Sequence, residues 1–305
     1  MKTISICNNK GGVGKSTITL FLSDFFSSQR TENRKLRILV IDLDSQGSSA
    51  ISLLGLQRVA KIKSEKGCFS DVLIKINQGN KFSLSKYLHK REETQTTTQK
   101  IPLGELHVIV QEQTRTLKLE DNCDQQQCLQ LVKVFKKIIE EKFDLVFIDM
   151  PAKIEPDRHK IALAGLRCSD HILIPTEPTR ITLNAMTDTF NLIQYARGIA
   201  SKRDDLIEII GIVLNKTDRR TKQYRLHHAD LYDMAAKHQT IVFDNFLPTA
   251  PALSSASDDS LSFLTLRERY SNYYDNVRAI AIELATKCGY GVKRIKTKGR
   301  KNVSS

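Results

Sequence analysis

The 305-residue sequence predicts an α/β fold, a doubly wound, mostly parallel sheet with helices on both faces. Aliphatic runs of strand length alternate with amphipathic stretches of helix length from one end of the chain to the other. With 40% apolar and 27% charged residues, the chain can bury a core and keep a solvated surface, which excludes global disorder. No internal repeat interrupts the alternation.

The first strand candidate is 3–7, joined by a glycine-rich turn to a helix over 16–28. Strands over 37–41, 106–110 and 145–148 follow, and runs such as ILVID and LVFI are aliphatic enough to be covered on both faces. Helices over 125–141 and 157–166 flank the last of these. Next come a strand over 171–175, a helix over 182–200, the IIGIVL run within a strand over 207–214, and a helix over 222–237. A strand over 240–243 and a helix over 266–287 complete the series. Seven strands and six helices suit one domain over 1–290. The stretch 58–104 fits the alternation least and reads as a variable insertion, with the polar KREETQTTTQK at its centre a loop. Residues 291–305, with glycines among basic residues, read as a flexible tail.

Forty-seven Lys and Arg against 34 Asp and Glu leave a formal charge of +13. Much of it is concentrated. Residues 216–225 hold five basic residues and one acid, and 292–305 hold Lys293, Arg294, Lys296, Lys298, Arg300 and Lys301 with no acid. Such clusters attract a polyanion, either nucleic acid or an anionic membrane surface. No run reaches the ~18 apolar residues of a membrane span, and the N-terminus lacks the pattern of a secretion leader, so neither a spanning nor an exported protein is expected. The six cysteines are scattered and read as reduced cytosolic thiols; Cys123 and Cys128 alone make poor zinc spacing.

The first strand runs into NNKGGVGKSTITLFL, where Gly11, Gly12 and Gly14 let the backbone curl so that successive N–H groups and a helix N-terminus face an anion. Lys15 would reach the outer phosphates of a nucleotide and the Ser16 hydroxyl would ligate Mg²⁺. Asn9 stands where the usual G-x-x-x-x-G-K-[ST] expression has its first glycine; the motif here is K-G-G-x-G-K-[ST], with an additional Lys10. In this motif the sequence resembles the ParA/MinD group of deviant Walker A P-loop ATPases. ILVIDLDSQGSSA is similar to the group's D-x-D-P-Q-G-N motif, with Ser45 and Ser48 replacing Pro and Asn. FDLVFIDMPA is similar to its D-x-P-P strand, with Ala152 replacing the second Pro. GIVLNKTDRRTK and FDNFLPTAPALSSAS resemble the strand and loop that border the adenine.

The resemblance implies ATP and Mg²⁺ as cofactors, with Lys10, Gly11, Gly12, Val13, Gly14, Lys15, Ser16 and Thr17 around the phosphates. It sends Lys10 across a dimer interface to the partner's phosphates; read alone, Lys10 is a solvated loop lysine. Asp44 would position the attacking water, and Asp42 would lie near the metal or the lysine, although DLDSQG also reads as an acidic turn. Asp149, at the carboxyl end of its strand, would hold a Mg²⁺-bound water, with a buried structural aspartate as the alternative. Asn215 and Pro248 would border the base, and a strand-ending turn explains Asn215 nearly as well.

Arg219, Arg220, Lys222 and Arg225, with Lys293, Arg294 and Lys296, are the candidate DNA contacts, touching phosphates without reading bases. The run KRIKTKGRKNVSS, residues 293–305, supplies only Ile295 and Val303 as bulky apolar residues, which disfavours a membrane-binding amphipathic helix. The expectation is therefore a ParA-like ATPase, cytoplasmic and nucleoid-associated. It would form an ATP-bound homodimer, bind DNA nonspecifically and segregate a cargo under control of a ParB-like or other adaptor. The alternatives are a MinD-like membrane-associated positioning ATPase and a metabolic P-loop synthetase.

Overall fold

A computed structural model describes residues 1–29, 34–91, 105–198, 207–258 and 265–290. Seven strands, β1 (Lys2–Ile6), β2 (Arg37–Asp42), β3 (His89–Lys90), β4 (Glu105–Ile109), β5 (Leu145–Asp149), β6 (His171–Thr176) and β7 (Glu208–Leu214), form one sheet in the order β3-β4-β2-β5-β1-β6-β7. All neighbours are parallel except the β3–β4 pair. The alternation of side chains sends Ile38, Val40, Leu145 and Phe147 into one core and Leu39, Ile41, Val146 and Ile148 into the other, one on each face. Helices α1 (Lys15–Ser27), α2 (Ser48–Leu54) and α12 (Tyr274–Lys287) cover the first face; α6 (Gln125–Ile139), α7 (Lys160–Arg167) and α8 (Arg180–Gly198) cover the second. The ends of β1, β2, β5 and β7 thus bring four sequence-distant loops to one edge of the sheet.

Two expectations are corrected. The candidate strand 240–243 makes one bridge, Val242 to Ile212, and the Phe243 ring lies over Gly211, where a Cβ would stand 2.2 Å from it. The seventh strand is instead β3, inside the stretch expected to be a variable insertion. That stretch also forms α3 (Leu56–Ser64) and α4 (Phe69–Asn77), and it feeds Val59 and Ile62 to one core and Phe69, Val72 and Leu73 to the other. Residues 92–100 of the expected loop, and the tail 291–305, lie outside the described residues. The helix expected over 266–287 breaks into α11 (Leu266–Tyr270) and α12, with Ser271 in the left-handed region at φ 49°.

That break serves a buried charge. Asp24, on α1 and fully buried, accepts from Arg91, from Arg269 at 3.0 Å and from the Tyr270 hydroxyl at 2.5 Å. The flanking cations and the hydroxyl hold its carboxyl below the usual range despite burial. Arg269 also donates to the Ala256 and Ser52 carbonyls, tying α2 and the α10 segment (Pro251–Ser255) to the same point. Helices α5 (Gln113–Asp121) and α9 (Lys222–Lys237) complete the set, α5 capped by Glu112, whose carboxylate accepts from Thr114 and Arg115 N–H. All six cysteines are free and buried. Among the described residues no helix is long and apolar enough to cross a membrane.

Candidate functional site

The loop between β1 and α1 turns on glycines. Gly12 and Gly14 adopt φ +81° and +94°, and a Cβ on Gly14 would lie 1.9 Å from Asn215 Nδ2. Gly14 caps α1 without a side-chain acceptor, which leaves the helix's first N–H groups free for an anion. Asn8 Nδ2 donates to Pro175 O at 2.8 Å, Asn9 Oδ1 accepts from Ile154 N–H at 2.7 Å, and Asn9 N–H donates to Thr189 Oγ1 at 2.9 Å. The absent first glycine of the usual motif is therefore a residue that anchors the loop to α8 and to the segment after β5. Lys15 is buried, its ammonium donating to Asn8 O at 3.1 Å and Lys10 O at 3.0 Å. Burial lowers its pKa, opposed chiefly by Cys7 and then by Asp149 and Asp44. Lys10 is half-buried at the rim, and its ammonium pairs with no carboxylate among the described residues. Ser16 and Thr17 are half-buried in the first turn of α1.

Asp42 and Asp149 end adjacent strands and face each other in register, both fully buried. Their surroundings differ. Asp42 accepts from Ser49 Oγ and Ala50 N–H at 2.8 Å and from Asp44 N–H at 3.1 Å, so it organises the turn from β2 into α2. Burial pushes its carboxyl up to about 6, and the Asp44 charge adds to the rise. Neither oxygen of Asp149 has a hydrogen-bond partner among the described residues. Burial, then the facing Asp42, pushes it well above the usual carboxylate range, while Ser16, Ser49 and Lys15 favour its anion. A buried, partnerless carboxylate suits a cation or a cation-bound water. Among the described residues no three His, Cys, Asp or Glu side chains gather to hold a metal. Mg²⁺ would thus take the Ser16 hydroxyl and the Asp149 side as its protein share and draw its other oxygens from phosphate and water. Asp44 is half-buried past the strand end, its Oδ1 accepting from Gln46 N–H at 2.9 Å.

The segment after β7 forms the other wall. Asn215 Nδ2 donates to Val13 O at 3.0 Å, so the amide expected at the base also braces the loop. Leu247 N–H donates to Leu214 O and Leu247 O accepts from Thr217 N–H, which sets Leu247, the residue before Pro248, alongside the segment 214–217. Lys216 was visible in the sequence only as part of a basic run. It donates to Gly12 O at 2.7 Å and pairs with Glu177 at 3.0 Å. The rest of that run divides. Arg219 lies 4.4 Å from the Phe246 ring centroid and donates to Asp244 O, and Arg220 pairs with Asp218 at 3.0 Å. Lys222 and Arg225 stand exposed on α9 without a carboxylate partner among the described residues. Lys293, Arg294 and Lys296 lie outside the described residues.

A strand, a glycine loop, an open helix N-terminus and facing strand-end aspartates define a P-loop nucleotide-binding protein. An AAA domain family model matches residues 1–207, and the chain belongs to that family as a ParA/MinD-type P-loop ATPase. It is 25% identical over 263 residues to Soj, a chromosome-partitioning ATPase of Treponema pallidum, covering 85% of this chain and 88% of that one. To the chromosome partitioning protein ParA of Caulobacter vibrioides it is 24% identical over 260 residues, 84% of each. Three solved structures share the fold at 16–17% identity. Cyanothece McdA in an ATP complex gives a TM-score of 0.68 over 97% of this chain and 98% of that one. The pNOB8 ParA bound to nonspecific DNA gives 0.66 over 95% and 99%. Cobyrinic acid a,c-diamide synthase of Mycobacterium smegmatis, with ADP and magnesium, gives 0.63 over 94% and 96%.

Proposed function

We propose that the chain is a ParA-like ATPase that binds ATP and Mg²⁺, pairs into an ATP-bound homodimer, and coats DNA without reading its sequence. Hydrolysis stimulated by a ParB-like or other adaptor then releases it, moving a plasmid, chromosome or protein cargo. The observation that carries this reading is the division of labour between two lysines. Lys15 lies inside the loop, where it can exchange the Asn8 and Lys10 carbonyls for phosphate oxygens. Lys10 stands at the rim with no partner carboxylate among the described residues, available to the phosphates of a second subunit. The names of the relatives, partition ATPases and a ParA on nonspecific DNA, point the same way.

Bound Mg²⁺ supplies charge neutralisation on the phosphates. The loop N–H groups orient the phosphate chain, Asp44 orients the attacking water, and Asp42 holds the turn that carries Asp44. Asn215 and Pro248 border the base. Lys222 and Arg225, with Arg219, Arg220 and the tail, contact DNA phosphates, which places the protein on the nucleoid in the cytoplasm.

The test is binding to a labelled duplex across a salt series with ATP, ADP or no nucleotide, for wild type and Lys10→Ala. ATP should strengthen wild-type binding by avidity, and the slope of log affinity against log salt should be roughly −0.9 per phosphate contact. Lys10→Ala should bind ATP yet lose the ATP-dependent gain. Equal affinity in every nucleotide state, or a variant with normal dimerisation and turnover, rejects the reading.

A further inference from the structure

We propose that Lys216, held by Glu177, is a positioning residue of the phosphate loop: it sets which way the Gly12–Val13 peptide faces, and so how tightly the loop holds a phosphate chain. The inference rests on reading that loop as a phosphate site. The described residues contain no cis peptide bond, and in a trans peptide the carbonyl and the following N–H point in opposite directions. Fixing a carbonyl on one side therefore aims the next N–H to the other. Two consecutive carbonyls of this loop are fixed by two consecutive residues after β7. Lys216 Nζ holds Gly12 O at 2.7 Å, which aims Val13 N–H, and Asn215 Nδ2 holds Val13 O at 3.0 Å, which aims Gly14 N–H. Lys15 does the same to Lys10 O from within, but gives that contact up if it moves to phosphate. The outer two are the ones that can persist with ligand bound.

The loop needs such restraint. Glycine accepts positive and negative φ about equally, so Gly12 and Gly14, at φ +81° and +94°, leave one torsion of each peptide flanking Val13, ψ of Gly12 and φ of Gly14, weakly restrained. Lys216 itself is held in the left-handed region at φ 48°, which disfavours a residue with a Cβ. Glu177 takes the ammonium's other side at 3.0 Å, and its own turn is set by Thr179 N–H and Thr182 Oγ1, both donating to Glu177 O. The bland alternative is a surface ion pair, which adds little to stability and nothing to the ligand. The contact to Gly12 O separates the two.

Calorimetric titration of the full chain with inorganic pyrophosphate and with ATP tests this, using wild type, Lys216→Met, Lys216→Arg and Glu177→Gln. Lys216→Met keeps the aliphatic stem and should weaken both ligands by the same factor, about tenfold, the loss of one charged hydrogen bond. The nucleotide-free melting temperature should hold, Lys216→Arg should recover most of the affinity, and Glu177→Gln should act in the same direction by a smaller factor. Wild-type pyrophosphate affinity in both Lys216→Met and Glu177→Gln overturns the proposal. So does a loss confined to ATP, which would put Lys216 at the base, or a loss explained by lowered stability. If wild type binds neither ligand, the phosphate-site reading falls; if it binds both and Lys216→Met matches it, only this inference falls.

Discussion

Asp149 and Asp42 confront each other across adjacent strands with no water-exposed atom between them, so the site carries an electrostatic cost until a cation arrives. The sign of its pH dependence follows. In nucleotide-free, chelated protein the folded carboxyls keep protons to higher pH than the unfolded chain, where an aspartate titrates near ~4. From about pH 4 up to and beyond the Asp42 value of about 6, the native state binds more protons, so this contribution to stability falls as pH rises and is not regained above. An ion-paired aspartate does the reverse. Asp149→Asn is expected to raise the melting temperature at pH 7 by about 3 °C and to flatten the profile between pH 4.5 and 7.5 by scanning calorimetry. A variant less stable than wild type at pH 7 contradicts this. At this scale the loop was legible because its residues are contiguous: Gly11, Gly12, Gly14 and Lys15 need no tertiary information. Lys216 and Asn215 touch that loop across about two hundred residues, and their grip exists only because β6 lies beside β1 and β7 beside β6 in the sheet.

Among the elements, the six strands with strong aliphatic runs were legible because burial on both faces demands such runs. The edges were not. Strand β3 has two residues and no periodicity, and 240–243 has strand-like residues that make a single bridge to the edge strand β7. The division of 266–287 was equally hidden, since Tyr270 and Arg269 look like ordinary helix residues until Asp24 is found facing them. That cluster joins the helix of the phosphate loop to β3's flank and to α11, so it should act as a structural rivet. Asp24→Ala leaves the Arg91 and Arg269 guanidinium groups in a dry site without their shared anion. The expected loss is ~3–5 kcal/mol, read from denaturant unfolding; a change under ~1 kcal/mol would show that water replaces the carboxylate.

For the molecule as a whole, the charge arithmetic pointed correctly to concentrated excess, but a formal count weighs every cation equally. The structure engages Lys216 with the loop, Arg220 with Asp218 and Arg219 with Phe246, and Lys222 and Arg225 are the members of that run without an ion pair or ring contact among the described residues. The six thiols bear on the whole fold in another way. All are buried, and desolvation pushes Cys7, Cys128 and Cys288 up to about 12 and Cys68 and Cys168 up to about 11. Because the thiolate is the reactive form, the native protein should be inert to a maleimide at neutral pH, and each sulfur should react only when its own neighbourhood opens. Cys7 lies beside the phosphate loop, Cys168 at the end of α7 and Cys288 at the end of α12, so mass spectrometry of timed alkylation gives separate clocks for three parts of the fold. Adding ATP should slow the Cys7 clock most. Fast labelling of all six in the native protein would mean that the core breathes as one unit, and a fluorophore on an introduced surface cysteine would then lose its selectivity.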